Sequence, residues 1–153
     1  MAIYLVQHAL SLPKNVDPEK GISPEGRTSA EAIARVAKGY GVPVSRIAHS
    51  GKKRALQTAE IFAEALSPPE GMIQMPGLNP LDDVTLVAHE LDPAGNTMLV
   101  GHLPFMERLA AYLVTGTATR PVFRFQNAGI VCLDLHTDFD SWVINWSLSP
   151  HIG

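Results

Sequence analysis

One cysteine, Cys132, is all the chain has, so neither an internal disulfide framework nor a cysteine-based zinc cluster can form. Charge is also sparse. Asp, Glu, Lys and Arg make up 18% of the 153 residues, below the usual share of about 25%. With 46% hydrophobic residues, that balance belongs to a packed domain rather than a disordered chain. Twelve basic side chains against fifteen acidic ones leave a net charge of −3. There is no basic excess to hold duplex nucleic acid or an anionic membrane, and neither is expected as a partner. No apolar run approaches the roughly 20 residues of a membrane span. The start, Met1-Ala2-Ile3-Tyr4-Leu5-Val6, has no basic region and no cleavage-like site, so the cytoplasm is the expected compartment. The length fits one domain over residues 1–153, with no repeat and no linker.

What is present alternates strand and helix. Ile3 to Val6 is a short aliphatic run suited to a buried strand. After a Pro- and Gly-punctuated loop, Ser23-Pro24 predicts a helix start, with serine as N-cap and proline at the first helical position. Ala30, Ile33, Ala34 and Ala37 keep helical spacing until Gly39 and Gly41. Arg46 to His49 predicts a second strand, and Ser50-Gly51 the opening of a helix that runs to about Leu66. A minor strand near Met72 to Met75 and a helix over Asp83 to Leu91, capped by Asp82, come next. Thr97 to Val100 is another aliphatic strand, turning through Gly101-His102-Leu103-Pro104 into a helix that ends near Val114. Gly129 to Leu135 and Trp142 to Leu148 flank a polar turn and predict an antiparallel hairpin. The expected architecture is α/β: a three-layer α/β/α sandwich whose central sheet is mostly parallel, with an antiparallel hairpin at its C-terminal end. Trp142, Ile144 and Trp146 alternate and predict one buried face of the last strand; Cys132 reads as a core thiol.

Ligands of open α/β sheets sit beyond the carboxyl ends of the strands. Two aliphatic strands each place a histidine there, His8 and His102, and parallel strands would bring both to one edge. The second helix adds Lys52, Lys53 and Arg54 at its N-terminus, where the helix dipole disfavours cations by about 0.3–1 kcal/mol each. Lys52 and Lys53 read as solvated. Arg54 lies among compact residues, and a bound anion would turn its position from a cost into a binding site. Two imidazoles and a guanidinium suit a phosphoryl group. A neutral imidazole attacks phosphorus, and the cations offset charge on the equatorial oxygens. Because that nucleophile must be neutral, activity is expected to fall on the acid side, within the window of about pH 5 to 8 where histidine ordinarily titrates. A metal shared by His8, His49 and His102 would leave Arg54 unexplained. His49, His89, His136 and His151 show no ligand spacing, so no metal and no cofactor are expected. Gly51-Lys52 lacks the rest of a nucleotide-binding loop.

These residues resemble the histidine phosphatase (phosphoglycerate mutase-like) superfamily, and its small SixA-type branch of phosphohistidine phosphatases in particular. Leu5-Val6-Gln7-His8-Ala9 is similar to the family's Arg-His-Gly signature. Ile22-Ser23-Pro24-Glu25-Gly26 is similar to its Leu-Thr-x-x-Gly helix start. Ser50-x-x-x-Arg54-Ala55-x-Gln57-Thr58-Ala59 matches its most specific motif, and Val100-Gly101-His102-x-Pro104 its second-histidine motif. The resemblance implies His8 as nucleophile with Arg54 and His102 as catalytic phosphate ligands. Gln7 and Ser50 would complete the phosphate-binding set. Two departures stand out. Gln7 occupies the place of the arginine before the nucleophile, and Asn79 stands where larger members carry an acidic proton donor. Loss of that acid suits a phosphoramidate better than an alkyl phosphate, because protonated imidazole is a good leaving group. The expected substrate is therefore a phosphohistidine-bearing signalling protein, with a small phosphomonoester as runner-up, and a monomer is expected. A degenerate phosphatase fold that binds a phosphoprotein without turnover is the competing reading, motivated by Gln7.

Overall fold

The computed structural model describes residues 2–152. Ten elements follow in order: β1 (Ala2–Gln7), α1 (Pro24–Gly39), β2 (Arg46–His49), α2 (Lys53–Leu66), β3 (Met72–Gln74), α3 (Val84–Glu90), β4 (Thr97–Gly101), α4 (Phe105–Thr115), β5 (Ile130–His136) and β6 (Ser141–Leu148). The strands form one sheet in the order β3-β2-β4-β1-β5-β6. Pairings β2–β3, β2–β4 and β1–β4 are parallel, and β1–β5 and β5–β6 are antiparallel.

Alternation along the central strands feeds two cores. Tyr4, Val6, Met98 and Val100 face one way and meet Ala30, Ile33, Ala34 and Ala37 of α1 with Ala55, Ala59 and Phe62 of α2. Ile3, Leu5, Leu99 and Leu133 face the other way and meet Val84 and Val87 of α3 with Phe105, Met106 and Leu109 of α4. Helices thus cover both faces, and the sandwich has the expected three layers. Full burial of a side chain such as Phe62 or Leu109 stabilises by about 1.5–3 kcal/mol, which is what holds each helix to the sheet.

Local chemistry sets the helix starts. Ser23 caps α1, its Oγ accepting from Gly26 N–H at 3.0 Å, with Pro24 at the first helical position. Gly26 is there for space. A Cβ would stand 2.2 Å from the carbonyl oxygen of Leu10, so any side chain would push α1 off the loop that follows β1. Three expectations need correction. First, α2 starts at Lys53 rather than at Ser50-Gly51, because Gly51 turns with a φ of 91° and Lys52 remains extended as the N-cap. Second, the cap of α3 is Asp83, whose side chain accepts from Thr85 N–H; Asp82 instead accepts from Asn79 N–H at 2.9 Å. Third, Trp146 does not share a face with Trp142 and Ile144. A bulge opposite Cys132/Leu133 leaves Asn145 as an extra residue in β6, so Ile144 pairs with Leu133 and Trp146 with Cys132. Trp142 and Ile144 pack toward α4, while Trp146 packs on the opposite core, its ring centroid 6.0 Å from that of Tyr4. Cys132 is a buried thiol, and burial pushes its pKa up to about 12.

Candidate active site

Parallel pairing of β1 with β4 sets Gln7 opposite Gly101, and His8 N–H donates to Gly101 O at 2.9 Å. His8 and His102 therefore leave the sheet side by side, and their rings lie 5.2 Å apart between centroids, tilted by 51°. His8 Nδ1 is 2.7 Å from its neighbour Ala9's carbonyl oxygen, which can only accept, so the proton sits on Nδ1 and the lone pair on Nε2. Ser50, just past β2, brings its Oγ to 2.6 Å from His102 Nε2. The other nitrogen of His102, Nδ1, is buried and has no hydrogen-bond partner among the described residues.

The α2 motif explains itself in contacts. Arg54 is half-buried, and that desolvation lowers its pKa; among the described residues it has no carboxylate partner. Gln57 Oε1 accepts from Ile22 N–H at 2.8 Å. Thr58 Oγ1 donates to Arg54 O at 2.7 Å and accepts from Ala9 N–H at 2.9 Å. The helix that carries the guanidinium thereby also fixes the residue after His8. Its own N-terminus has no side-chain cap and no acidic residue in the first turn. Open N–H groups and a guanidinium without a carboxylate partner are features that suit an anion, although Asp17 and Glu19 reach Lys53 in the same turn.

Electrostatics agree. Burial, followed by the charges of Arg54 and Lys20, takes the His8 pKa down to about 4, although the Ala9 carbonyl opposes the shift. His102 falls to about 3, through burial first and then the charges of His8, Arg54, Lys52 and Lys20. Both imidazoles are neutral at pH 7. Burial thus places protonation of His8 in the free protein on the acid side of the ordinary histidine range.

The structure brings His8, Ser50 and His102 together and places Arg54 close enough for its charge to act on both histidines. It puts Gln7 beside them, in an adjoining groove, with its Oε1 buried and unpartnered. Lys53 keeps its side chain 38% exposed but is not free in solvent. Lys53 Nζ pairs with Asp17 at 2.9 Å and Glu19 at 3.6 Å and ties the loop after β1 to α2. Two residues near the site were missed. Lys20 sits in that loop at φ 53°, and its charge acts on both histidines. Asn127 donates from Nδ2 to His8 O at 2.9 Å. The one available signal for Lys20 was its place just before Gly21 and the Ile22-Ser23 helix start; Asn127 had none. His49 is buried beneath the turn, where its Nδ1 accepts from Gly51 N–H at 3.1 Å.

An α/β/α sandwich with paired strand-end histidines and an uncapped, arginine-bearing helix is the architecture of a phosphoglycerate mutase-like fold. The chain belongs to the histidine phosphatase superfamily (branch 1), whose sequence pattern matches residues 3–82. It is 28% identical to the phosphohistidine phosphatase SixA of Escherichia coli (strain K12), over 98% of this chain and 94% of that protein. The structure of the protein histidine phosphatase SixA complexed with tungstate superposes with a TM-score of 0.84 at 26% identity, covering 98% of this chain and 97% of that one. A putative phosphohistidine phosphatase SixA from Agrobacterium tumefaciens shares the fold, with a TM-score of 0.75 at 23% identity and 97% coverage of both chains. A phosphatase function of the histidine phosphatase type follows from this membership, in the SixA-type branch. Among the described residues, no helix is long and apolar enough to cross a membrane.

Proposed function

We propose that the protein is a metal-independent phosphohistidine phosphatase of the cytoplasm that works through a phosphoenzyme on His8. The single observation that carries the reading is the pairing of His8 Nδ1 with the Ala9 carbonyl oxygen at 2.7 Å. It fixes the tautomer with Nε2 free to attack. It also prepares the product. When Nε2 bonds to phosphorus, the ring keeps its Nδ1 proton and becomes a cation, and the Ala9 carbonyl then accepts a charge-assisted hydrogen bond. The electron pair of the breaking P–N bond passes to the substrate's imidazole, which enters as the protonated form and leaves neutral. Water then attacks the phosphoryl group, and His8 departs as a neutral imidazole with its Nδ1 proton still in place. Neither departure needs an acidic side chain, which suits a site with Asn79 in the acid's place.

Arg54 and the open N-terminus of α2 hold the phosphoryl oxygens, and their charge counts for more in this desolvated pocket than it would in water. Ser50 acts through His102. Its hydroxyl donates to Nε2, leaving the His102 proton on Nδ1, where a phosphoryl oxygen can accept it. Gln7 contributes a neutral contact next to the nucleophile. The likeness to SixA supports a phosphohistidine-bearing signalling protein as substrate, used by a monomeric enzyme.

The test is a panel assayed at equal concentration: proteins phosphorylated on histidine, phosphoramidate, and phosphomonoesters, each with and without EDTA. The reading expects the N-phosphoryl compounds to be hydrolysed at least about tenfold faster than the esters, unchanged by chelation. Preference for an ester, or activity lost in EDTA and restored by zinc or manganese, would overturn it.

A further inference from the structure

A groove of about 760 Å3 opens beside the paired histidines. Gln7, which lines it, directly precedes His8, and Leu103, which also lines it, directly follows His102. Asn127, in its wall, holds the His8 carbonyl. No residue of α2 contributes to its lining, so a phosphoryl group held by Arg54 leaves the groove free. An in-line transfer sends the leaving group away from the attacking nitrogen, and the groove runs past the chain neighbours of both histidines. Its volume lies in the range of about 300–1,000 Å3 typical of whole-ligand sites. That is more room than one imidazole side chain needs.

The walls say what belongs there. Gln126 clasps the segment after β6 through two hydrogen bonds, Nε2 to His151 O at 3.0 Å and His151 N–H to Oε1 at 3.1 Å, and so builds a fixed outer edge. Arg124 stands on the same wall, exposed, with no ion-pair partner among the described residues. Glu25, from the first turn of α1, lines the groove as well and disfavours a second acid near it. The Gln7 amide is unspent, since its Oε1 meets no donor.

Building on the phosphohistidine reading, we propose that this groove seats the polypeptide segment around the phosphorylated histidine. Gln7 accepts an N–H of that segment, and Arg124 pairs with an acidic side chain beside the modified residue.

Three substrates test this with wild type and Arg124→Glu. They are a histidine peptide flanked by glutamates and phosphorylated chemically, the same peptide with glutamines in their place, and phosphoramidate. Arg124→Glu should lower kcat/KM for the glutamate peptide about five- to tenfold, mostly through KM, with the other two within about twofold. Equal loss on all three substrates, or no loss on the glutamate peptide, would overturn the proposal. If wild type hydrolyses no N-phosphoryl compound, the phosphohistidine reading fails and the groove is judged by binding alone. The probe is then the glutamate peptide carrying a stable phosphoryl-triazole in place of phosphohistidine. Weaker binding by Arg124→Glu supports the groove, and equal binding overturns it.

Discussion

Ser50 Oγ and His102 Nε2 stand 2.6 Å apart, and this contact decides which nitrogen of His102 is left for a ligand. Nε2 is taken, which leaves Nδ1 buried and without a partner among the described residues; in the proposed mechanism this is the nitrogen that binds a phosphoryl oxygen. An unmet buried polar atom costs about 1–3 kcal/mol, a cost that the bound phosphoryl group of the proposed mechanism removes. The turn between β2 and α2 is shaped for this bond. Gly51 and Lys52 are spent on extended or left-handed backbone instead of a first helical turn, so that the Ser50 side chain reaches across to the residue after β4.

Removing the hydroxyl should therefore hurt ligand binding more than folding. Ser50→Ala is expected to weaken vanadate binding and kcat/KM about five- to tenfold, in line with one hydrogen bond of roughly 1 kcal/mol plus the loss of a fixed tautomer. Ser50→Thr should restore most of both. The checks are vanadate inhibition and a thermal melt for each variant. Unchanged inhibition in a folded Ser50→Ala would mean that Ser50 does not orient His102.

Acid should act on both histidines in the free protein. Their folded pKa values, about 4 for His8 and about 3 for His102, lie below the ordinary value of 6.5. The unfolded chain therefore binds more protons as pH falls through 6.5. Stability is fully present above about pH 6.5 and declines as pH drops toward 4 and then 3, by an amount on the order of a few kcal/mol. A bound dianion favours protonated imidazole and should reverse part of the decline. Denaturant melts at pH 7 and pH 4.5, with and without phosphate, check this, and NMR titration of the imidazole protons reads the groups directly. Titration of His8 and His102 near 6.5 in the free protein would contradict it. Lys20→Met should raise both values, because the Lys20 charge holds both down.

A cation placed at residue 7 should strengthen the phosphate site. Gln7→Arg sets a forked, charged donor next to His8 in place of a neutral amide, and hydrogen bonds to charged groups contribute about 1.5–3 kcal/mol. Vanadate and phosphate are expected to bind about ten- to a hundredfold more tightly. Turnover should gain less, since tighter ground-state binding does not by itself lower the barrier. Inhibition constants for the folded variant decide this. No gain for either anion would place residue 7 out of reach of the phosphoryl oxygens.

Much of this was legible in the chain because the informative residues follow strong patterns. The aliphatic runs before His8 and His102 fixed both strand ends, and parallel pairing did the rest. Ser23-Pro24 marked the start of α1 to the residue. The face of Trp146 was not legible, because a one-residue bulge has no signature in an alternating strand and moves every later side chain across the sheet. The start of α2 was not legible because Gly51 turns with a positive φ and Lys52 stays extended, a local turn that the helix-favouring pattern does not show. Lys20 and Asn127 lie on irregular segments with no period to read, and only the folded chain brings them to the site.

The most direct test of the account is to trap the phosphate on the chain. Wild type and His8→Ala are mixed rapidly with radiolabelled phosphoramidate and quenched in alkali, where phosphohistidine survives. The account predicts labelled wild-type protein that loses its label in acid, and a folded His8→Ala with neither label nor turnover. Label or undiminished turnover in His8→Ala would contradict it.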